Sequence, residues 1–201
     1  MKLFDSILLA TNNPGKKKEI TALLSQLGIS VLSPSDLGIV SDPEETGMSF
    51  AENALIKAKA LFTLAEGKPT LADDSGICVM ALGGDPGVYS ARYGGPDLND
   101  QQRALYLLEK MKAEKNREAK YVCELCFLFQ ANNEIVTKTF QGELYGAIAT
   151  EYDDGGNGFG YDPIFLLENG KRLSYIPKDE KNSFSHRGIA LKKFFQFLSQ
   201  T

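Results

Sequence analysis

The sequence has little of several features that define particular protein classes. Its 22 Lys and Arg residues are outnumbered by 26 Asp and Glu residues, which gives a formal net charge of −4. That balance disfavours a protein that coats RNA or DNA with a broad basic face, although it leaves room for a local basic pocket. No apolar run approaches the roughly 20 residues needed to cross a bilayer. The apolar run near the N-terminus is too short for a signal peptide, so we expect a cytoplasmic protein without a membrane anchor.

Cysteine is also scarce, because the chain has only three. An odd and sparse set is not a disulfide framework. Cys123 and Cys126 have the spacing of a zinc-binding pair, but they lie in a predicted strand, where residues three apart point to opposite faces. No second pair follows, so we predict buried thiols rather than a zinc site.

What remains is the composition of an ordinary globular protein, with 201 residues of which 43% are hydrophobic. This length suits one domain or two closely packed lobes. Helix starts are well marked by capping residues: Asn13 with Pro14, Ser49 with Glu52, and Asn99 with Gln102.

The elements expected from these signals alternate between helix and strand. Three helices are predicted over residues 14–27, 50–66 and 100–115, with a fourth from about Ser185. Strands are predicted for 6–11, 30–32, 69–74, 120–130 and 134–149, the last two joined by a turn at Asn132 and Asn133. Helices early and late with a hairpin between them predict a mixed α/β sheet protein.

Polar residues gather where these elements join. The segment "TNNPGKKK", Thr11 to Lys18, turns from a strand into a helix start, and Lys16 stands beside the positive end of that helix. This arrangement is typical of an anion site, although the spacing of a Walker A loop is absent. The alternative is an ordinary capped helix with a solvated run of lysines.

Adjacent acids close the predicted strand "PTLADD". Asp73 and Asp74, next to Ser75, could hold Mg²⁺ and activate a water, or their carboxylates could accept backbone N–H groups in a tight turn. A second acidic segment, Asp42 to Gly47, precedes the helix that carries Asn53 and Lys57. Its acids could ligate a metal or simply complement the helix dipole.

Two segments near the end of the chain could bind a flat ligand. "GFGYDP", from Gly158, contains Phe159 and Tyr161, whose rings could stack on a base or belong to the core. "KNSFSHRGIAL" contains His186, the single histidine, followed by Arg187. A cationic helix start, paired acids and an aromatic pocket with basic side chains together suggest chemistry on a nucleoside polyphosphate.

Six stretches carry a resemblance to a known family: "ATNNPGK", "EETGMSFAENALIKA", "ADDSG", "LGGDPGVYSARYGG", "GFGYDPIF" and "SHRGIAL". In this order they resemble the inosine triphosphate pyrophosphatase family, also described as dITP/XTP pyrophosphatases. The first stretch reads T-N-N where many members have T-G-N. The resemblance implies an elongated, twisted mixed sheet flanked by helices, in two lobes with the active site in the cleft between them.

The resemblance also implies an activity: hydrolysis of ITP, dITP and XTP to the monophosphate and pyrophosphate by a single domain spanning 1–201. It implies Mg²⁺ as cofactor and a homodimer that binds neither nucleic acid nor membrane. Asp74 would be the general base and a metal ligand, with Glu44 the second ligand and Glu45 its rival. The substrate would contact Thr11, Asn12, Asn13, Pro14, Gly15, Lys16, Ser75, Phe159, Gly160, Tyr161, Asp162, Lys181, His186 and Arg187.

Three other functions are compatible with parts of this pattern. A regulator that binds a nucleotide without cleaving it would need the lysine-containing segment Thr11 to Lys18 and the base pocket. It would not need Asp74 and Glu44 together. A related pyrophosphatase could act on modified pyrimidine triphosphates. A nucleic-acid-binding module is disfavoured by the net charge.

Overall fold

A computed structural model describes residues 4–11 and 13–200. Its strands form a six-stranded sheet with the order β2-β1-β3-β4-β5-β6. The strands are β1 Ser6–Ala10, β2 Ser30–Leu32, β3 Thr70–Val79, β4 Glu118–Ala131, β5 Glu134–Ile148 and β6 Phe165–Leu166. β1 pairs in parallel with β2 and β3, whereas β5 and β6 are antiparallel. The α-helices are α1 Pro14–Gln26, α2 Phe50–Leu64, α3 Asp100–Lys110, α4 Lys178–Phe184 and α5 His186–Gln200. The mixed α/β fold expected from the sequence is confirmed.

The chain divides into two compact units. The first comprises the residues up to Asp74, Cys123–Gln141 and the chain from Ala190 onward. The second comprises Ser75–Val122 and Gly142–Ile189. Strands β3, β4 and β5 therefore each contribute residues to both units.

In the first unit, both faces of β1 are buried, as the unbroken apolar run in its sequence predicts. Ile7 and Leu9 share one cluster with residues of α1 and α5, which are Ile20, Leu24, Leu191 and Phe194. Leu8 and Ala10 pack on the opposite face with α2 residues Ala54, Ala58 and Leu61. Cys123 belongs to the first of these clusters and Cys126 to the second. The two thiols therefore lie on opposite faces of β4, as predicted, and none of the three cysteines forms a disulfide.

The second unit has its own core, which buries the residues that follow the acidic pair along β3. Its members come from β3, α3, β4, β5 and the segment 161–176: Ile77, Val79, Ala104, Leu107, Met111, Ala119, Tyr121, Ile148, Tyr161, Ile164, Phe165, Leu173 and Ile176. No helix in the described part of the chain is long and apolar enough to cross a membrane.

Local signals placed the starts of α1, α2 and α3 correctly, whereas α4 was not among the predicted helices. Asn13 caps α1 by accepting hydrogen bonds from the N–H groups of Gly15 and Lys16 at 2.9 and 3.1 Å. Reciprocal capping boxes open α2 at Ser49 and α3 at Asn99. The turn between β4 and β5 uses Asn132 and Asn133 with positive φ angles of 51° and 63°, the backbone that a two-residue hairpin requires.

One element differs from the prediction in a way that matters for the site. Asp73 and Asp74 do not end their strand, because β3 continues through Ser75 and Gly76 to Val79. Gly76 lies within this strand, where its lack of a side chain serves packing. A Cβ there would collide with the Ser90 hydroxyl and lie 2.5 Å from the Gly87 carbonyl oxygen.

Candidate active site

The predicted phosphate loop connects β1 to α1. Asn12 lies outside the described residues; Thr11 accepts a hydrogen bond from the Asn13 N–H at 3.2 Å through its hydroxyl. Because the Asn13 side chain already accepts from the N–H groups of Gly15 and Lys16, the loop's cationic character comes mainly from the helix dipole and from the Lys16 ammonium.

Asp73 is the buried counter-ion of Lys16. The Lys16 ammonium contacts Asp73 Oδ1, and the thiol of Cys123 donates to Asp73 Oδ2 at 3.1 Å. Only 1% of Asp73 is exposed. A carboxylate held on both oxygens within the protein is suited to placing Lys16 rather than to taking part in chemistry.

Asp74 has a different environment from its neighbour. Lys57 donates to Asp74 Oδ1 at 2.6 Å, whereas Asp74 Oδ2 is buried and accepts no hydrogen bond from the described residues. Burial raises the pKa of Asp74 above its ordinary value, against the opposing effect of Lys57 and Lys16. A buried carboxylate oxygen without a donor costs folding free energy unless a ligand contacts it. Of the two acids, Asp74 is therefore the one whose geometry leaves an oxygen for chemistry.

Lys57 is a site residue to which sequence reasoning assigned no role. Burial alone would lower its pKa, but Asp74, Glu45 and Asp73 together raise it, so Lys57 stays a cation. Its ammonium also lies 3.2 Å from Glu45 Oε1. The available signal was its spacing: Asn53 and Lys57 are four residues apart on α2, so they share a face beside its buried apolar stripe.

The acidic segment before α2 is tied to that helix. Asn53 is fully buried and its Oδ1 accepts the Gly47 N–H at 2.8 Å. Glu45 is the half-buried acid that reaches Lys57, whereas Glu44 is exposed. No group of three or more His, Cys, Asp or Glu side chains within residues 4–11 and 13–200 is placed to hold a metal ion. Mg²⁺ commonly uses only one or two protein carboxylates and completes its shell with substrate phosphates and water.

In the second unit, Asp162 is the centre of the predicted base pocket. Its Oδ2 accepts the Phe159 N–H at 3.0 Å and the Lys181 ammonium at 2.5 Å, while its Oδ1 accepts the Tyr121 hydroxyl at 3.3 Å. Gly158 has a φ of +102°, and a Cβ there would collide with Asp162 Oδ2. The glycine therefore allows the loop to close over the carboxylate.

Basic and aromatic side chains of the second unit lie around Tyr121 and Asp162. Lys181 lies 5.4 Å from the centroid of the half-buried Phe159 ring. The His186 imidazole stacks on the Tyr121 ring at 4.7 Å, and Arg187 donates to the Ser75 hydroxyl at 3.0 Å. Lys181, His186 and Arg187 are each at most 5% exposed. The second unit therefore buries three basic side chains, one of which lies against the Phe159 ring.

Two residues predicted to contact the base also make structural contacts in the second unit. Tyr161 is buried in the core of the second unit, where its hydroxyl donates to the Ser90 carbonyl oxygen at 2.8 Å. Gly160 donates its N–H to Asp100 Oδ2 at 3.0 Å, which anchors the loop to the start of α3. The residues brought together are thus Lys16 with Asp73, Asp74 with Lys57 and Glu45, Ser75 with Arg187, and Asp162 with Phe159 and Lys181.

Comparison with known proteins agrees with this arrangement of motifs. The sequence pattern of the Ham1 family matches residues 7–197. The chain is 51% identical over 194 residues to the dITP/XTP pyrophosphatase of Leptospira interrogans serovar copenhageni, covering 96% of each chain. It is 45% identical over 200 residues to the dITP/XTP pyrophosphatase of Nitrosomonas europaea, covering 98% of this chain and 95% of the relative.

Solved structures of two Ham1 proteins are also similar to this chain over nearly its full length. A HAM1 protein from Coxiella burnetii is similar with a TM-score of 0.88 at 36% identity, over 98% of this chain and 99% of that one. The Ham1 protein of Staphylococcus aureus is similar with a TM-score of 0.85 at 37% identity, over 97% of this chain and 98% of that one. The resemblance inferred from the motifs is confirmed, and the chain belongs to the Ham1 family.

Proposed function

We propose that this protein hydrolyses deaminated purine nucleoside triphosphates, namely ITP, dITP and XTP, to the monophosphate and pyrophosphate. The observation that carries the proposal is Asp74, a buried carboxylate with one oxygen held by Lys57 and the other without a donor among the described residues. Full-length similarity to relatives named dITP/XTP pyrophosphatase supports the substrate class.

In the proposed reaction, water adds across the anhydride bond between the α- and β-phosphates. Asp74 accepts the proton that the attacking water loses, because its Oδ2 has no donor among the described residues. Lys16 and Lys57 provide positive charge for the phosphates and their developing negative charge. Lys181, His186 and Arg187, with the ring of Phe159, hold the base.

We further propose Mg²⁺ as the cofactor, held by Asp74 and by Glu44, with Glu45 as the alternative second ligand. The unpartnered Asp74 Oδ2 fits a hard cation that prefers oxygen ligands. When bound, Mg²⁺ neutralises phosphate charge and lowers the pKa of water. The contact between Glu45 and Lys57 brings Glu45 to the lysine that also holds Asp74. Metal affinities of Glu44→Gln and Glu45→Gln would decide between the two acids.

A substrate panel with separate product detection tests the proposal. ITP, dITP, XTP, ATP, GTP and pyrimidine triphosphates are incubated with the protein and Mg²⁺, and monophosphate, pyrophosphate and orthophosphate are quantified. We expect monophosphate and pyrophosphate in equal amounts from ITP, dITP and XTP, with ribose and deoxyribose forms nearly equal. Release of orthophosphate and a diphosphate, preference for pyrimidines, or nucleotide binding without products would each contradict the proposal.

Two further properties are proposals that rest on family membership. We expect a homodimer, which sedimentation equilibrium of the purified protein tests directly. The cytoplasmic location stays a prediction that fractionation of cells would test.

Lys16→Ala is expected to raise KM, lower kcat and also destabilise the fold. The destabilisation is expected because Lys16 pairs with Asp73, and removing one partner of a buried ion pair leaves an uncompensated charge. A loss of about 3 kcal/mol corresponds to a melting temperature lower by roughly 6–12 °C for a chain of this size. Steady-state kinetics and thermal unfolding measure the two effects separately.

Two variants serve as controls for this prediction. The double variant Lys16→Ala, Asp73→Asn removes both charges, so we expect it to recover most of the melting temperature without recovering activity. Lys18 is exposed on α1, and Lys18→Ala should be near wild type in both measurements. If Lys18→Ala were the more damaging change, Lys16 would not be the phosphate-binding lysine.

A further inference from the structure

We propose that Tyr121 is a positioning residue that sets the discrimination between 6-oxopurine and 6-aminopurine nucleotides. The proposal rests on the proposed function. Tyr121 lies in none of the motifs that suggested the site, yet it contacts two of the residues predicted to surround the base, Asp162 and His186.

The first contact orients the Asp162 carboxylate. Phe159 and Lys181 both donate to Oδ2. Among the described residues, the Tyr121 hydroxyl is the donor to Oδ1, at 3.3 Å, and it thereby restricts rotation of the carboxylate plane. The orientation of the Asp162 carboxylate determines the position of the Lys181 ammonium, because the carboxylate accepts one of its three N–H donors. The direction of the remaining Lys181 donors therefore depends on the hydroxyl of Tyr121.

The second contact orients the imidazole of His186. The two rings are 4.7 Å apart with an interplanar angle of 9°, which restricts the imidazole to one plane. Tyr121 itself is held by strand β4 and is only 7% exposed. Burial, followed by the charge of Asp162, raises the pKa of Tyr121 well above its ordinary value, so the hydroxyl remains a donor. One rigid side chain thus places a carboxylate–lysine pair and a histidine.

The consequence concerns the group at purine C6. Hypoxanthine and xanthine present an acceptor oxygen there, which gains from donors held in fixed directions, whereas adenine presents an amine that cannot use them. Donors that are no longer held in fixed directions therefore bind ITP and XTP more weakly, whereas the binding of ATP changes little. A residue that only supported the fold would affect all of these substrates alike.

The test compares Tyr121→Phe with Tyr175→Phe. The first variant keeps the ring and its stack on His186 and loses only the hydroxyl. The second removes a tyrosine hydroxyl that also donates to a carboxylate, Asp153 Oδ1 at 2.9 Å, but lies on an exposed side chain. Wild-type ITP hydrolysis is measured first, then kcat and KM of both variants with ITP, XTP and ATP, together with melting temperatures.

We expect Tyr121→Phe to raise KM for ITP and XTP about 10-fold with little change in kcat, since a buried acceptor left without its donor disturbs the pocket. The efficiency with ATP should stay near that of wild type, so the ratio of ITP to ATP efficiency falls about 10-fold. Tyr175→Phe should match wild type with every substrate. An equal loss with ATP, or an unchanged ratio in an active Tyr121→Phe, would overturn the role of Tyr121. Failure of the wild type to hydrolyse ITP would instead overturn the proposed function.

Discussion

Asp74→Asn is expected to lower kcat for ITP at least about 10³-fold. The substitution removes both the proton acceptor and the charge proposed to hold Mg²⁺, while barely changing side-chain volume. Loss of a general base alone is typically worth about 10² to 10⁴ in rate, and weakened metal binding adds to it. Single-turnover measurements at saturating Mg²⁺ isolate the chemical step.

The fold should tolerate this substitution. The asparagine amide oxygen can still accept from Lys57, and Glu45, 3.2 Å from the Lys57 ammonium, still balances its charge. Burial also no longer disfavours an ionised group at position 74. We therefore expect a melting temperature within a few degrees of wild type. Nucleotide binding measured without turnover should persist, because Lys16 and the base pocket are unchanged.

Asp73→Asn is the matched control, since it makes the same chemical change one residue away. Asp73 forms an ion pair with Lys16 and accepts a hydrogen bond from the thiol of Cys123. We therefore expect Asp73→Asn to lower the rate less, and to lower the melting temperature more, than Asp74→Asn. Wild-type turnover in Asp74→Asn with abolished turnover in Asp73→Asn would reverse the roles of the two acids. If both variants kept wild-type activity, the general base would lie elsewhere.

The second large effect concerns the base. We expect the efficiency kcat/KM for ITP and XTP to exceed that for ATP by about 10⁴-fold, because buried donors left unpaired against the adenine amine reject it strongly. We predict that these donors are the buried Lys181, His186 and Arg187. GTP should also be a poor substrate, because guanine adds an amine at C2 and we predict that the pocket has neither an acceptor nor space for it.

Competition experiments measure this discrimination without separate saturation curves. A mixture of ITP with a large excess of ATP or GTP gives the efficiency ratio directly from the monophosphates formed. ITP and dITP serve as the matched pair, because they differ only at the ribose and should be consumed at nearly equal rates. Comparable consumption of ATP or GTP would contradict a pocket that reads the C6 and C2 positions.

Much of the fold could be predicted because its signals are local. The starts of α1, α2 and α3 depend on a capping side chain and backbone N–H groups within three residues, so Asn13, Ser49 and Asn99 specify them from short windows. Helix ends were less accurate: α3 ends at Lys110 rather than near Lys115. The charged residues after Lys110 have good helix propensity, and propensity alone does not say where packing against the core stops.

The candidate site was predictable as a set of residues but not as a set of partners. Residue type alone did not distinguish the adjacent acids, although the family resemblance singled out Asp74, and both were predicted at a strand end. Hydrogen bonding to neighbouring strands carries β3 past them, and successive residues of a strand face opposite sides of the sheet. Asp73 therefore meets Lys16, and Asp74 meets Lys57.

The partners that distinguish these side chains come from far along the chain. Lys57 lies 17 residues from Asp74, and Tyr121 lies 41 residues from Asp162. Such contacts depend on how strands and helices pack, and no local pattern encodes which of several buried polar groups will meet. Residue types and short spacings thus indicated the chemistry. Packing determined which acid pairs with Lys16, which acid keeps an oxygen without a donor among the described residues, and which tyrosine contacts Asp162 and His186.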